Sequence, residues 1–238
     1  MVSGPRHAPV PLARIDPMSK TRVRDAYSRR ADEYIQAVGS MEHVHRDDRE
    51  LVLEMAKLAD GLILDAGCGP GQWTNFLQEH GAEVVGVDLA TAFVERARQR
   101  FPRVPFTEGN LEDLQLPDGS VAGILSWYSI IHADPADVGK ILREFARCLK
   151  PGGYLVTGFF AGPRLEAFDH QVVAAYRWPV HELSGELEDA GFSVSEVQAR
   201  TDPGMRPHGA ILARRNFGDN RLGDQGLGPG FPPHHQAS

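Results

Sequence analysis

The residues best suited to chemistry lie in a glycine-rich turn that follows an apolar run. Asp65 stands just before Gly67, Gly69 and Gly71, and the acid-tipped run 83–88 ends at Asp88. An acid about 20 residues beyond a glycine turn is the usual ribose-binding acid of a βαβ unit. Strand, tight turn, helix start and second-strand carboxylate together predict a nucleoside-binding site.

The spacing of the glycines and the acid before them narrow the ligand. Gln72 occupies the place of the third glycine in a dinucleotide-binding loop, where a helix N-terminus would approach a pyrophosphate. Asp65 would repel a phosphate but suits an amino group. The pattern therefore favours a nucleoside that carries a cationic amino acid, which is the chemistry of S-adenosylmethionine.

Five motifs in order carry a resemblance to a known family. They occupy residues 64–71, 85–89, 108–120, 124–132 and 149–155. In these motifs the sequence resembles the class I (Rossmann-like) S-adenosylmethionine-dependent methyltransferases, in their small-molecule group, over about residues 22–215. The resemblance implies a methyltransferase with S-adenosyl-L-methionine as cofactor and S-adenosyl-L-homocysteine as product.

The resemblance also implies a set of cofactor-binding residues. Asp88 should bind the ribose hydroxyls, Leu89 should pack on adenine, and Asn110 stands where this group usually has an aspartate. An amide oxygen still accepts a hydrogen bond from the adenine amino group. The expected cofactor set is Tyr27, Tyr34, Asp65, Ala66, Gly67, Cys68, Gly69, Asp88, Leu89, Asn110, Leu111, Ser126 and Trp127.

Tyr27, Ala31 and Tyr34 share one face of a predicted first helix. The segment resembles the N-terminal lid of the family, whose tyrosines close over the methionine end of the cofactor. A plain amphipathic helix packed on the sheet is the alternative. After it, His43, His45, Asp47 and Asp48 allow a metal site, but a helix start with acids in its first turn explains them more simply, and no metal is predicted.

The acceptor is expected beyond the fourth strand. His132 has the chemistry to take a proton near neutral pH, although the family's paired histidines are reduced here to one, so a packing role is an equal alternative. Tyr128, Tyr176 and Trp178 are predicted to bind substrate.

Alternating helix and strand patterns indicate how these residues are positioned. They predict an α/β fold, a Rossmann-like doubly wound, mainly parallel seven-stranded sheet with helices on both faces and an N-terminal helical lid. Ligands bind beyond the carboxyl ends of strands one and four in such a sheet. Strands are predicted at 62–66, 83–88, 104–108, 121–126, 154–160, 193–198 and 210–214, and helices at 20–37, 46–59, 71–80, 90–100, 135–149 and 181–190.

The chain has 238 residues, 25 basic and 32 acidic, for a formal net charge of −7. We expect a disordered leader at 1–19, one methyltransferase domain at 20–215 (helical lid 20–60, core 61–215) and a disordered tail at 216–238. The acidic balance disfavours nucleic acid. Without a signal peptide or a membrane-length apolar run, a cytoplasmic location and no membrane partner are expected.

The predicted function is methyl transfer from S-adenosylmethionine to a small-molecule acceptor with an oxygen, nitrogen or carbon nucleophile. Two other functions stay open at this point. A non-catalytic S-adenosylmethionine-binding protein would keep the cofactor motifs. A nicotinamide-dependent oxidoreductase would use the same fold, but the dinucleotide glycine spacing that it requires is absent.

Overall fold

The computed structural model describes residues 39–170 and 174–217. The predicted lid helix at 20–37, with Tyr27 and Tyr34, lies outside the described residues, as do the predicted leader and nearly all of the predicted tail. Among the described residues, no helix is both long and apolar enough to cross a bilayer.

Helices and strands alternate along the chain as predicted. The helices are α1 (Arg46–Leu58), α2 (Gln72–Glu79), α3 (Thr91–Arg100), α4 (Pro135–Cys148) and α5 (Val180–Asp189), with 3-10 turns at Met41–His43 and Ile130–His132. The strands are β1 (Ile63–Ala66), β2 (Val84–Asp88), β3 (Phe106–Glu108), β4 (Val121–Trp127), β5 (Leu149–Ala161), β6 (Glu166–Phe168), β7 (Ala175–Trp178), β8 (Phe192–Arg200) and β9 (His208–Arg215).

Within the part of the chain that the structure describes, the sheet has nine strands rather than the predicted seven. Strands β3, β2, β1, β4 and β5 run parallel in that order, and β9 and β8 continue antiparallel along the outer edge of β5. The two additional strands, β6 and β7, form a short hairpin that pairs with the end of β5. With three and four residues, these strands are too short to show a hydrophobic period in the sequence.

Helices cover both faces of the sheet, so neighbouring residues of one strand enter different cores. Ile63 packs with α1 and α2, whereas Leu64 packs with α4 and α5. All four residues of β1 are buried, as expected for a parallel strand covered on both faces. The polar ends of β1, β2 and β4 are left at the carboxyl edge of the sheet, where ligands of such folds bind.

Helix α4 shows how local sequence fixes an element at this edge. Asp134 precedes it, and its carboxylate accepts a hydrogen bond from the backbone N–H of Ala136 at 2.9 Å. Pro135 opens the first turn, where its missing N–H and fixed φ cost nothing. The helix therefore starts directly after the loop that leaves β4.

Candidate active site at the carboxyl edge of the sheet

The glycine turn after β1 is tied to the end of β2 by its own backbone. The N–H of Gly67 donates to the carbonyl of Val87 at 2.7 Å, and the N–H of Gly69 donates to the Asp88 carboxylate at 2.8 Å. Gly67, Gly69 and Gly71 all have positive φ, which side chains rarely tolerate. The turn thus brings α2 and the carboxylate of β2 to one place.

Two of these glycines face different surroundings. A Cβ added at Gly67 would lie 2.2 Å from the Cβ of Ser129, so the turn and the loop after β4 approach as closely as a glycine permits. A Cβ added at Gly69 would meet nothing within 4 Å. The turn is therefore packed on its β4 side and open at Gly69, whose N–H is held by the carboxylate of β2.

Asp65 is buried at the end of β1, with 1% of its surface exposed. Its carboxylate accepts a hydrogen bond of 2.6 Å from the Thr74 hydroxyl in the first turn of α2. Burial raises the pKa of Asp65 to about 7, and the charge of Asp88 adds to the increase, while Thr74 opposes it. A cation arriving at the turn would stabilise the ionised form.

Asp88 closes the other side of the turn. One carboxylate oxygen accepts from Gly69 N–H and the other from Ala90 N–H, both at 2.8 Å. Burial raises the pKa of Asp88, and these backbone bonds oppose the increase. Each oxygen has a further lone pair, so the carboxylate could still accept from two vicinal hydroxyls.

Cys68 is a packed residue of the turn. Its thiol lies 3.7 Å from the carbonyl of Gly69 and belongs to a small core cluster with Val94, Ala97 and Phe106. Burial raises its pKa further above the ordinary thiol value, so the thiol stays protonated at neutral pH. Cys68 and Cys148 are both free thiols.

The remaining predicted cofactor residues lie around the same edge. Ala66 is buried at the tip of β1, and Leu89 follows β2 half-buried. Asn110 follows β3 and caps its own loop, where its side-chain oxygen accepts from Glu112 N–H at 3.2 Å. Leu111 packs against the core on the α4 side. These four residues thus end or follow β1, β2 and β3 at the carboxyl edge of the sheet, and their contacts with a cofactor stay a prediction.

Ser126 and Trp127 end β4. The Ser126 hydroxyl is buried and lies 2.7 Å from the Ser129 hydroxyl, across from Gly67. The Trp127 ring packs 5.1 Å from Trp73 of α2, and a Cβ on Gly158 would meet it at 2.8 Å. These contacts hold the end of β4 between the glycine turn and β5.

His132 is buried, and its ring is held by the chain beyond β5. Its Nδ1 lies 2.9 Å from the carbonyl of Ala174, so Nδ1 carries the proton and donates it. Burial lowers the pKa of His132 to about 4. A base with this pKa takes up a proton weakly at neutral pH, which argues against His132 as the proton acceptor.

Tyr176 and Trp178 lie on β7, next to the end of β5. Trp178 is 2% exposed and belongs to the core on the α4 side, so packing alone accounts for it. Tyr176 is half-buried against the same core, and burial raises its pKa. Their substrate contacts stay a prediction.

Sequence patterns did not indicate the partners of Tyr128. Its hydroxyl lies 2.5 Å from Nδ1 of His208, a residue 80 positions away that opens β9. Thr74, the partner of Asp65, was also not foreseen. Both pairings depend on which strands and helices meet in space, so spacing along the sequence carries no signal for them.

The polar cluster before α1 serves mainly to start the helix. His45 caps it, and its Nδ1 accepts from Asp47 N–H at 3.2 Å. Asp48 in the same turn is instead buried against Arg200 and His208. Within residues 39–170 and 174–217, no group of three or more His, Cys, Asp or Glu is arranged to hold a metal ion.

Comparison with known proteins assigns this edge to a family. Residues 63–153, from β1 to the start of β5, match the family model described as a methyltransferase domain. Over these residues the chain is a methyltransferase domain. The five motifs and the sheet order around the glycine turn agree with this assignment.

Relatives of the methyltransferase domain include a malonyl-[acyl-carrier protein] O-methyltransferase of Serratia marcescens. The two are 31% identical over 152 residues, which cover 63% of this chain and 57% of that protein. The chain spans 57%, 53% and 61% of the length of the first three curated relatives that it matches.

Two solved structures share the fold of the methyltransferase domain. The 1,6-didemethyltoxoflavin-N1-methyltransferase of Burkholderia thailandensis, solved with S-adenosylhomocysteine, has a TM-score of 0.72 at 21% identity and covers 88% of this chain and 94% of its own. The magnesium protoporphyrin IX methyltransferase of Synechocystis, also solved with S-adenosylhomocysteine, has a TM-score of 0.66 at 19% identity and covers 83% and 99%.

Proposed function

We propose that this chain transfers a methyl group from S-adenosylmethionine to a small-molecule acceptor. The observation that carries the proposal is the open position at Gly69, whose N–H donates to the half-buried Asp88 carboxylate at 2.8 Å, in the turn that follows the buried Asp65. An adenosine ribose and a cationic amino acid are the two groups that such a pair of acids suits. The match of residues 63–153 to a methyltransferase domain supports the same ligand.

The described residues offer a partner for each part of this donor. Asp88 would accept from the ribose hydroxyls, Asn110 would accept from the adenine amino group, and Leu89 and Leu111 would cover the adenine ring. Asp65 would balance the charge of the methionine amino group. The backbone of the turn, from Ala66 through Gly69, would lie along the sugar and methionine.

Ser126 and Trp127 would close the donor site from the side of β4. Tyr27 and Tyr34, outside the described residues, are proposed to cover the methionine end as in the family that the sequence resembles. The acceptor would then meet the sulfonium methyl beyond β4, beside Tyr128.

The chemistry that the donor supplies is an already activated methyl group. The chain has to align the acceptor with that methyl, exclude water and receive any proton that the acceptor loses. Trp127 and Phe160 would line the approach of the acceptor from β4 and β5, and no step requires a covalent intermediate on the protein. In-line displacement therefore needs positioned apolar walls more than reactive side chains.

The experiment that tests the function measures S-adenosylhomocysteine release from S-adenosylmethionine across a panel of small phenols, carboxylic acids and amines. Release above the acceptor-free rate, together with a methylated product by mass spectrometry, is expected for at least one class. Binding of S-adenosylmethionine with no transfer to any of the three classes would favour a non-catalytic binding protein.

A further inference from the structure

A buried row of polar groups leads away from the Tyr128 hydroxyl. Nδ1 of His208 lies 2.5 Å from that hydroxyl, and Nε2 of the same ring lies 3.2 Å from Oδ1 of Asp48. The Arg200 guanidinium donates to both oxygens of Asp48, each at 2.6 Å. Asp48 and His208 are 5% and 6% exposed. We call these four residues the Tyr128 relay.

The fold assembles the Tyr128 relay from four separate elements. Arg200 and His208 face each other across the β8–β9 ladder, so both side chains project from one face of the sheet. Asp48 lies in the first turn of α1, which packs over that face. Tyr128 follows β4 at the carboxyl edge, where the substrate of this fold is bound.

The ionic groups around His208 fix the direction of its hydrogen bonds. Burial alone would raise the pKa of Asp48, but the neighbouring His208 and Arg200 outweigh it and hold that pKa below its usual range. With a carboxylate beside Nε2, the neutral ring keeps its proton there, although the contact is an ion-pair approach rather than a well-aligned hydrogen bond. Nδ1 is then the acceptor, and the Tyr128 hydroxyl donates to it.

The backbone at Tyr128 is held in an unusual conformation. Its φ is +56°, and among the described residues only Gln115 is another non-glycine residue with positive φ. Such strain persists where the surroundings enforce it, and it clusters at active sites. The N–H of Tyr128 donates to the Gly158 carbonyl at 2.9 Å, which anchors the residue between β4 and β5.

On its other side, Tyr128 borders an aromatic cluster. Its ring lies 4.7 Å from Phe160, and Phe160 lies 5.2 Å from Phe168 and 5.6 Å from His170. The Arg206 guanidinium covers Phe160 and Phe168 at 5.9 and 5.2 Å. Flat aromatic walls of this kind suit a planar ring, and the cation beside them suits developing negative charge.

We propose that the Tyr128 hydroxyl accepts the proton of a phenolic acceptor, with His208, Asp48 and Arg200 as positioning residues. The inference rests on the proposed methyl transfer and names the acceptor class of that site. A phenol needs to lose a proton as its oxygen is methylated, and its ring fits the aromatic cluster. If the Tyr128 relay only stabilised the packing of α1, β4, β8 and β9, the same contacts would be present. Its loss would then lower kcat equally for all acceptors.

The proton and charge balance of the step is closed. The phenol O–H bond breaks as the oxygen–methyl bond forms, and the electrons of the carbon–sulfur bond stay with sulfur. The phenol proton moves to the Tyr128 oxygen while the Tyr128 proton moves to Nδ1 of His208. One positive charge leaves the sulfonium and one appears on the imidazolium, next to Asp48, before the proton returns to solvent.

The test compares phenols of graded acidity in the full-length chain. S-adenosylmethionine is the donor, and para-cresol and para-nitrophenol are the acceptors at mildly alkaline pH, where only the nitrophenol is already an anion. For Tyr128→Phe, kcat with para-cresol should fall by about 10²–10⁴-fold, the usual contribution of a general base. With para-nitrophenol it should fall by less than about tenfold, because no proton has to be removed. His208→Gln should show the same dependence on acidity.

Tyr154→Phe is the matched control, because Tyr154 is half-buried in the N-terminal half of β5, away from its carboxyl end, with its ring against Arg214. This variant should have the same kcat as the unaltered chain with both phenols. Calorimetry with S-adenosylhomocysteine checks that each variant keeps its donor site. In the unaltered chain, nitrogen-15 shifts of His208 should show the proton of the neutral ring on Nε2.

Several outcomes would overturn the inference. An equal loss with both phenols would mean that the Tyr128 relay is structural, and a proton on Nδ1 of neutral His208 would reverse its direction. Transfer to amines or carboxylic acids but to no phenol would reject the acceptor class and keep the proposed function. If the unaltered chain binds no S-adenosylhomocysteine, the proposed function fails first, and this inference with it.

Discussion

The carboxylates of Asp88 and Asp65, near the ends of neighbouring strands, differ in the hydrogen-bond donors that surround them. Asp88 is surrounded by backbone N–H donors from Gly69 and Ala90, which favour its charged form. Asp65 has the Thr74 hydroxyl and little else, so burial dominates and its pKa reaches about 7. One acid therefore suits neutral hydroxyls, and the other gains from the arrival of a cation.

Asp88→Asn should weaken the binding of S-adenosylhomocysteine. The substitution keeps the shape of the side chain and removes its charge, so charge-assisted bonds to the ribose are lost at a cost of about 1–3 kcal/mol. Calorimetry should show an affinity about 5- to 150-fold lower. Glu83→Gln, an exposed acid just before β2, is the control. Unchanged affinity in Asp88→Asn would contradict the ribose assignment.

Asp65→Asn should change how stability depends on pH. The pKa of Asp65 is about 7 in the folded chain against 3.8 for an ordinary aspartate. The folded state therefore binds more protons between these values, and the associated stability is lost as pH rises through the folded pKa. The neutral asparagine avoids this loss. Between about pH 5 and about pH 8, the free energy of unfolding of the variant should therefore fall by about 1–4 kcal/mol less than that of the unaltered chain.

Urea unfolding at the two pH values measures the Asp65 effect. Asp60→Asn, an exposed acid in the loop before β1, should follow the unaltered chain. An equal change in the free energy of unfolding between the two pH values for Asp65→Asn and the unaltered chain would show that Asp65 titrates normally.

At the scale of elements, the glycine turn works because it touches the loop after β4. Gly67 faces Ser129, and the Ser129 hydroxyl lies 2.7 Å from the Ser126 hydroxyl, so the turn after β1 is joined to the end of β4 through Ser129. The turn needs both a left-handed backbone and the absence of a side chain at Gly67. Gly81, in the loop before β2, needs only the former.

Gly67→Ala and Gly81→Ala separate these two requirements. Both glycines have positive φ, +81° and +87°, but an added Cβ clashes only at Gly67. Each alanine should cost about 1–2 kcal/mol from backbone strain, and Gly67→Ala should cost more because Ser129 has to move. Thermal unfolding and S-adenosylhomocysteine binding measure both. Equal stability and full binding in the two variants would mean that the close approach has no role.

Some of the strands and helices can be predicted from local sequence patterns and others cannot. The strands and helices around the turn were predictable because each buried strand is a continuous apolar run and each helix has its own period. The β6–β7 hairpin was missed because its strands are three and four residues long. The pairing of Tyr128 with His208 was missed because it depends on the register of β8, β9 and β5, which no local pattern encodes.

The position of Asp48 in a helix was predicted from the sequence, but its burial was not. The sequence places it correctly in the first turn of α1, where an acid favours the helix dipole. Its burial against Arg200, 152 residues away, became visible only in the fold. Sequence motifs thus say more about the proposed donor side than about the proposed acceptor side, because the residues of the former lie on consecutive motifs and those of the latter on distant strands.

At the scale of the whole molecule, the sheet is held between two cores that differ in their helices. The core on the α4 side contains Phe145, Phe159 and Trp178, all buried, and joins β5 to α4 and α5. The core on the α1 side contains Met55 and Trp73. Both cores pack against the strands whose carboxyl ends carry the candidate site.

Phe145→Ala tests the dependence of the molecule on the α4 core. Phe145 is fully buried, and its truncation should lower the free energy of unfolding by about 3–5 kcal/mol through lost burial and a cavity. Met205→Ala, at a position that is 68% exposed, should change it by less than about 0.5 kcal/mol. Denaturant unfolding measures both, and similar small effects would contradict the packing described for α4.

The central claim is that the site beside Gly69 and Asp88 binds S-adenosylmethionine. Thermal unfolding of the full-length chain with S-adenosylmethionine, S-adenosylhomocysteine or NAD, each in excess, tests it most directly, because a ligand raises the unfolding temperature only if it binds the folded state. We predict an increase with both adenosyl-amino acid ligands and none with NAD. Stabilisation by NAD alone would contradict the account.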